Sequence, residues 1–418
     1  MYASDEEDSI DDRQRWSPAT QATLSGRKAS ATPAPTRWFA GPFVRLLATN
    51  MAFGFSNSCF YLLPKYLTVS YAATPGKVGA VMGIFGLTCV LVVPWLGRAV
   101  SGLGLARTLL FAQMLMAASS FAFALVHEMG PAMLVLRVLQ GLATAGVLTA
   151  GVAMVCELAP PHKLGQAMGL AGAASLIMNA IAPAVAEPIG ARYGFAWVFA
   201  LSGLAAMLGG LVARKLPASD ASAGQGSNRA VFLPRRARPI LSVLGFSGAG
   251  FYVVITFLAP LALSRGVGAV RGFFVAYAVA ALAIRLLGGA FTDRLGLRRT
   301  AIFGMLAYGA FIAAIAAIGP RSIVLLGLGF GFVHGALFPA LMALVFLGTE
   351  PAERAQLASL ANGVMNLGML SVLGFGQLAN HFGLVLVFLA TGILVAVSSL
   401  LLTRNPLGES ASSVLHEV

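Results

Sequence analysis

Long apolar blocks separated by short polar or charged segments make up most of this chain. A helix needs about 20 apolar residues to cross roughly 30 Å of hydrocarbon. Twelve blocks reach about that length: Phe43 to Leu67, Lys77 to Leu96, Thr108 to Val126, Pro131 to Cys156, Gly165 to Pro188, Ala196 to Ala213, Ile240 to Leu263, Phe273 to Thr292, Thr300 to Ile318, Ser322 to Leu347, Leu357 to Leu378 and Leu384 to Leu402. The pattern predicts an all-α integral membrane protein of twelve transmembrane helices in two six-helix bundles.

The duplication is written in the turns. Span two ends in Gly97-Arg-Ala-Val-Ser101-Gly-Leu-Gly104-Leu-Ala-Arg107, and about 190 residues later span eight ends in Gly289-Ala-Phe-Thr-Asp293-Arg-Leu-Gly296-Leu-Arg-Arg299. Each fourth span is followed by a short acidic, proline-bearing loop, Glu157-Leu-Ala-Pro160-Pro161 in one half and Glu350-Pro351-Ala-Glu353 in the other. These landmarks divide the chain into a polar tail (1–40), a first bundle (41–215), a linker rich in Ser, Gly and Arg (216–238), a second bundle (239–404) and a tail (405–418). Glycines inside spans, Gly79, Gly83 and Gly86 or Gly165, Gly169 and Gly172, predict close helix packing, which in lipid depends on small residues. The same faces are candidates for sliding surfaces.

Composition agrees. Of 418 residues 58% are hydrophobic and 10% charged, with a mean hydropathy of +0.83, whereas an ordinary soluble domain carries roughly 25% charged residues. The first 40 residues, with Asp5-Glu6-Glu7-Asp8, lack an apolar core segment; they predict a disordered cytoplasmic arm rather than a cleaved leader. A net charge of +13 raises a nucleic-acid reading, but the 28 Lys and Arg sort by side: 20 on predicted inner segments, 6 on outer loops, and Arg137 and Arg285 within spans. That bias is the positive-inside rule. It predicts both termini in the cytoplasm and a multi-pass protein of the plasma (inner) membrane, and the basic balance reports lipid headgroups rather than nucleic acid. Cys59, Cys89 and Cys156 form no metal or redox spacing and read as packing residues.

Arg137-Val-Leu-Gln140-Gly141, the turn from Gly289 to Arg299 and the Glu157-x-x-Pro160 loop together resemble the major facilitator superfamily across all twelve spans. Phe273 to Gly289 and Gly335 to Met342 are similar to its bacterial-type efflux permeases. The resemblance implies that the turns after spans two and eight act as a cytoplasmic latch: Gly289, Asp293, Arg294, Gly296, Arg298 and Arg299 match it, while the first copy keeps Gly97, Gly104 and Arg107 but has Ser101 and Gly102 in place of the Asp and Arg. Carboxylate and guanidinium groups at the membrane surface make bonds that rocking can make or break. It also links Arg137 to proton coupling. A cation near mid-bilayer costs about 2.5 to 3.5 kcal/mol on insertion scales, so Arg137 needs a partner, and backbone carbonyls would serve as well as a functional one.

Proton coupling also needs an acid. Glu187, between Pro183 and Pro188 in span five, is the candidate, against the plainer reading of a helix-end carboxylate. The passage implied by the resemblance takes polar and aromatic residues from the first, fourth, seventh and tenth spans and their neighbours. The substrate-binding candidates are Asn50, Asn57, Arg137, Gln140, Tyr252, Tyr277, His334 and Asn366, joined by Tyr61, Asn179, Thr256 and Asn362, each of which reads equally as helix-to-helix glue. An otherwise apolar lining suits a hydrophobic or amphipathic substrate.

Duplicated bundles that rock about a mid-membrane site work by alternating access. The resulting expectation is a monomeric secondary active transporter, a proton-coupled antiporter performing efflux of a small hydrophobic or amphipathic compound, with protons and lipid as its other partners. There is no Walker loop to hydrolyse ATP, no catalytic motif that makes it an enzyme, and no cofactor is expected. Uptake or facilitated diffusion of a small metabolite is the alternative within transport, and a non-transporting membrane receptor the alternative outside it.

Overall fold

The structure is a computed structural model that describes residues 41–160, 163–218, 237–287, 295–347 and 351–403. The first tail, most of the linker, Gly289, Asp293, Arg294, Glu350 and the carboxyl tail lie outside these residues.

Helices follow one another through the chain: α1 (Pro42–Cys59, continuing through a 3-10 turn into Leu63–Tyr71), α2 (Pro75–Leu103), α3 (Leu105–Phe123), α4 (Pro131–Leu158), α5 (Leu164–Tyr193), α6 (Phe195–Ala213), α7 (Ala237–Ser264), α8 (Arg271–Leu287), α9 (Leu297–Ala314) and α10 (Ile323–Phe346). Pro351–Leu367 then runs through another 3-10 turn into Ser371–Ser398, which Gly383 breaks at φ 82° and ψ 162°. We call the part before the break α11 and the part after it α12. Among the described residues nine helices are long and apolar enough to cross a membrane, and one of them, Leu360–Thr403, is the pair α11 and α12 counted together. With α1, interrupted by its 3-10 turn, and α8, 17 residues long, the architecture is consistent with twelve crossings.

The two halves repeat each other contact by contact. In the first, α1 packs on α5 and α6, α2 on α4, and α3 on α4 and α6; in the second, α7 packs on α11 and α12, α8 on α10, and α9 on α10 and α12. Even the register is shared. A Cβ on Gly141 of α4 would lie 2.6 Å from the Phe85 carbonyl of α2, and about 190 residues on Gly331 of α10 sits against the Tyr277 carbonyl of α8.

The turns are made by glycine for a steric reason. Gly104 between α2 and α3 has φ 80° and ψ 158°, and Gly296 before α9 has φ 78° and ψ 146°, a region that a Cβ closes to other residues. Gly194 and Gly383 take nearly the same angles between α5 and α6 and between α11 and α12. One correction follows: Gly97 to Leu103, expected as a turn, continues α2 as helix, and Gly104 alone stops it.

Candidate functional site

The halves meet along two seams, α2 against α11 and α5 against α8. The first is built on glycine. A Cβ on Gly79 would stand 2.5 Å from the Val372 carbonyl oxygen, and one on Gly83 2.5 Å from the Leu373 side chain. One on Gly86 would meet Met369 at 2.7 Å. At the end of the seam the Gly76 amide donates to Asn380 Oδ1 at 2.8 Å. Close packing is thus confirmed for the α2 glycines. It fails for Gly169 and Gly172 of α5, which have open space where a Cβ would go, as does Gly363 of α11; the surroundings of Gly165 lie outside what is described.

The second seam ends in an ionic clasp. Glu187, only 5% exposed, belongs to α5 and reaches into the other half, where the Val270 amide donates to one carboxylate oxygen at 3.0 Å and the Arg271 amide to the second at 2.6 Å. Those amides open α8, so the carboxylate also sits at the positive end of that helix. Lys65 of α1 completes the clasp, bonding Glu187 and the Gly268 carbonyl together. All these contacts fall in the half of each helix nearer the clasp, the end that sequence reading assigns to the outside.

Below the clasp the structure pairs tyrosine with asparagine twice. Tyr61 donates to Asn179 Oδ1 at 3.3 Å, joined by Ser58 at 2.8 Å, which ties α1 to α5. Tyr252 donates to Asn366 Oδ1, tying α7 to α11, the equivalent helices of the other half. All four are half-buried, and Tyr61 faces Phe274 of α8 with ring centroids 5.8 Å apart. The individual residues stand in the sequence reading, but the pairing does not; its signal is the recurrence of Tyr and Asn about 190 residues apart.

Other candidates lie deeper in their own halves. Arg137, 2% exposed, donates Nε to the Val81 carbonyl at 3.2 Å and a terminal nitrogen to Gln140 Oε1 at 2.8 Å, with the Phe85 ring 4.3 Å below. It finds a carbonyl and an aromatic face rather than a carboxylate. In the second half its place is taken by Gly327, against the Phe273 carbonyl. His334 is 4% exposed; its Nδ1 is 3.1 Å from the Tyr277 hydroxyl, and it stacks on Phe251 and Tyr308 at 5.2 and 5.4 Å. Tyr277 is 2% exposed, so this pair belongs to the interior of the second bundle in this state rather than to an open passage. Asn50 lies beside Gly151 with its Oδ1 unbonded, and Asn57 is half-buried. Thr256 is fully buried.

The expected latch is only partly within view. Arg298 donates to the Leu402 and Thr403 carbonyls at 3.1 and 2.7 Å, capping the last helical turn of its own half rather than reaching the other one. Arg107 and Arg299 are exposed. Gly104 and Gly296 serve as helix breaks. Lys65 counts only as one of the outer charges in the sequence; the fold alone brings it to Glu187.

Comparison with known proteins follows the same lines. The family model described as Major Facilitator Superfamily matches residues 46–284 and 272–415. Among solved structures, a mutant form of the nucleoside transporter NupG superposes with a TM-score of 0.72 at 15% identity, covering 88% of this chain and 100% of that one. The human organic anion transporter MFSD10 (TETRAN) gives a TM-score of 0.64 at 17% identity over 88% of this chain and 100% of that one. At such identities the likeness is one of fold. Among curated proteins none matches the sequence.

Proposed function

Because the chain belongs to the major facilitator superfamily, and so is a multi-pass membrane transporter and not an enzyme, we propose that it exports a small hydrophobic or amphipathic compound by alternating access, coupled to protons. The observation that carries this reading is the Glu187 clasp. It joins the halves at one end through three charge-assisted bonds, while glycines further along α5 and α11 face open space. Such an arrangement supports a state closed at the outer face and accessible from the inner one.

The same clasp offers a means of coupling. A carboxylate accepts from Lys65 and two amides together; a protonated carboxyl loses its charge and part of its accepting capacity. Protons arriving from outside therefore favour the open outer face, from which cargo leaves. Arg137 enters as a positioning residue, fastening α2, which carries the glycine seam, to α4. The Tyr61–Asn179 and Tyr252–Asn366 pairs, with Asn50 and Asn57, present polar groups to cargo in a passage otherwise lined by apolar side chains. Both termini are proposed to lie in the cytoplasm, with the protein acting as a monomer in the plasma membrane.

The test is transport in proteoliposomes under an imposed pH gradient, following a panel of fluorescent amphipathic compounds with the wild type, Glu187→Gln and Arg137→Ala. Movement that a protonophore abolishes and the substitutions impair supports coupled export. Movement indifferent to the gradient and to both substitutions removes the coupling and leaves facilitated diffusion.

A further inference from the structure

Arg285 stands apart from every other charge described above. It lies on α8, fourteen residues beyond the clasped amide of Arg271. At 1.5 Å per residue this is roughly 21 Å further along the helix, on the inner side of the membrane's middle. No described residue gives its guanidinium a hydrogen bond or a carboxylate. The residue is half-buried; its Nε is buried with no hydrogen-bond partner, and the Phe338 ring of α10 lies 5.7 Å from the guanidinium carbon. Arg137 is different, because its carbonyl, amide and ring partners account for it.

No described side chain neutralises this cation. Ile284 and Ala281 of α8 press on Gly335 of α10, one turn from Phe338, so the two helices pack closely beside Arg285. On the same side of the second bundle the Tyr277 hydroxyl and His334 Nδ1 are engaged with each other, while His334 Nε2 is left without a partner. Among the described residues with placed side chains, Glu187 is the one buried carboxylate, and it belongs to the clasp. A guanidinium partly withdrawn from water attracts a carboxylate, sulfonate or phosphate, and its planar fork favours two parallel bonds.

We infer that Arg285 is the anchor for an anionic group on the cargo, so that the transported compound is an organic anion whose apolar body lies against Phe338. This inference rests on the transport reading and narrows its substrate class. A lipid phosphate offers the same chemistry as a soluble anion. The phosphatidylglycerol arm of the experiment below separates the two.

The probes are three matched compounds: phenylacetate, phenylacetamide and phenethylammonium. Binding is measured by thermal stabilisation of the full chain in phosphatidylcholine nanodiscs, and uptake into proteoliposomes is measured beside it. Wild type is expected to bind and move phenylacetate in preference to the neutral and cationic probes. Arg285→Gln should weaken phenylacetate by about tenfold or more, and Arg285→Lys, which keeps charge without the fork, should retain part of it. Equal handling of the three probes by wild type overturns the inference even if Arg285→Gln fails to fold. Stabilisation by phosphatidylglycerol that disappears in Arg285→Gln, with no response to phenylacetate, assigns the anion to lipid and also overturns it. Movement of neutral compounds with no anion preference leaves the transport reading standing; failure to move any compound removes that reading too.

Discussion

Replacing Glu187 by Gln removes a charge from the one place where the halves are joined by ions among the described residues. The substituted amide keeps a single accepting oxygen: set on the side of Val270 and Lys65 it turns its NH2 donor on the Arg271 amide, and set on the side of Arg271 it turns that donor on Val270 and Lys65. Truncating one partner of a buried, hydrogen-bonded charge pair costs about 2 to 5 kcal/mol, and Glu187 qualifies because it is 5% exposed. The cost falls on the clasped state alone, since on opening these groups return to water. At 1.4 kcal/mol per factor of ten, the balance shifts toward the open outer face by roughly 30-fold to over 1,000-fold. Spin labels at Val69, 59% exposed at the end of α1, and at exposed Arg321 before α10 report the separation of the halves at that end. The wild type should show one short distance, and Glu187→Gln a long one. Lys65→Met should act in the same direction, and the double variant should add little, because both remove one interaction. An unchanged distance distribution in Glu187→Gln would refute the clasp.

Other expectations separate the seams from the bundles. Gly79→Val places atoms against the Val372 carbonyl across the halves and should lengthen the Val69-to-Arg321 distance. Gly309→Val, which meets the Gly392 backbone within the second half, should instead lower the thermal unfolding midpoint by overpacking worth about 1 to 3 kcal/mol. Gly296→Ala meets no neighbouring atom, so its loss should be conformational alone, about 1 to 3 kcal/mol from the forced positive φ, read in the same melting assay. Tyr61→Phe and Tyr252→Phe each remove one hydroxyl bond worth about 0.5 to 1.5 kcal/mol; both proteins should fold, and KM in proteoliposomes should rise roughly 2- to 12-fold.

The spans, the duplication and the glycine turns are legible in the sequence because each is a local property. Twenty apolar residues read the same in any fold, and Gly104 and Gly296 mark positions where backbone angles exclude a side chain. What escapes depends on distance in space. Nothing near Glu187 in the chain tells that Lys65, 122 positions earlier, and the amides before α8 converge on it. The need of Arg137 for a partner is plain from its place in a span, but its bond to the Val81 carbonyl depends on the register of α2 against α4. His334 is polar in the middle of a span, which is how passage residues look, yet the ring of Phe251, Tyr277, Tyr308 and Phe330 around it turns that polarity inward. The α2 glycines and Gly169 and Gly172 of α5 look alike in the sequence and differ in fate, because the first have a helix opposite and the second have space.

The glycine seam carries a thermodynamic consequence for turnover. Gly76, Gly79, Gly83, Gly86 and Gly376 bring no rotamers of their own to the joint between α2 and α11, and ordering such residues costs no side-chain entropy. Each time the joint is remade, α2 adds no side-chain ordering at these glycines, and the free energy comes from their contacts with the Val372 backbone and the Leu373 and Met369 side chains and from the Gly76–Asn380 bond. Such a surface can be separated and rejoined repeatedly with a small and nearly constant barrier, as a machine that cycles requires.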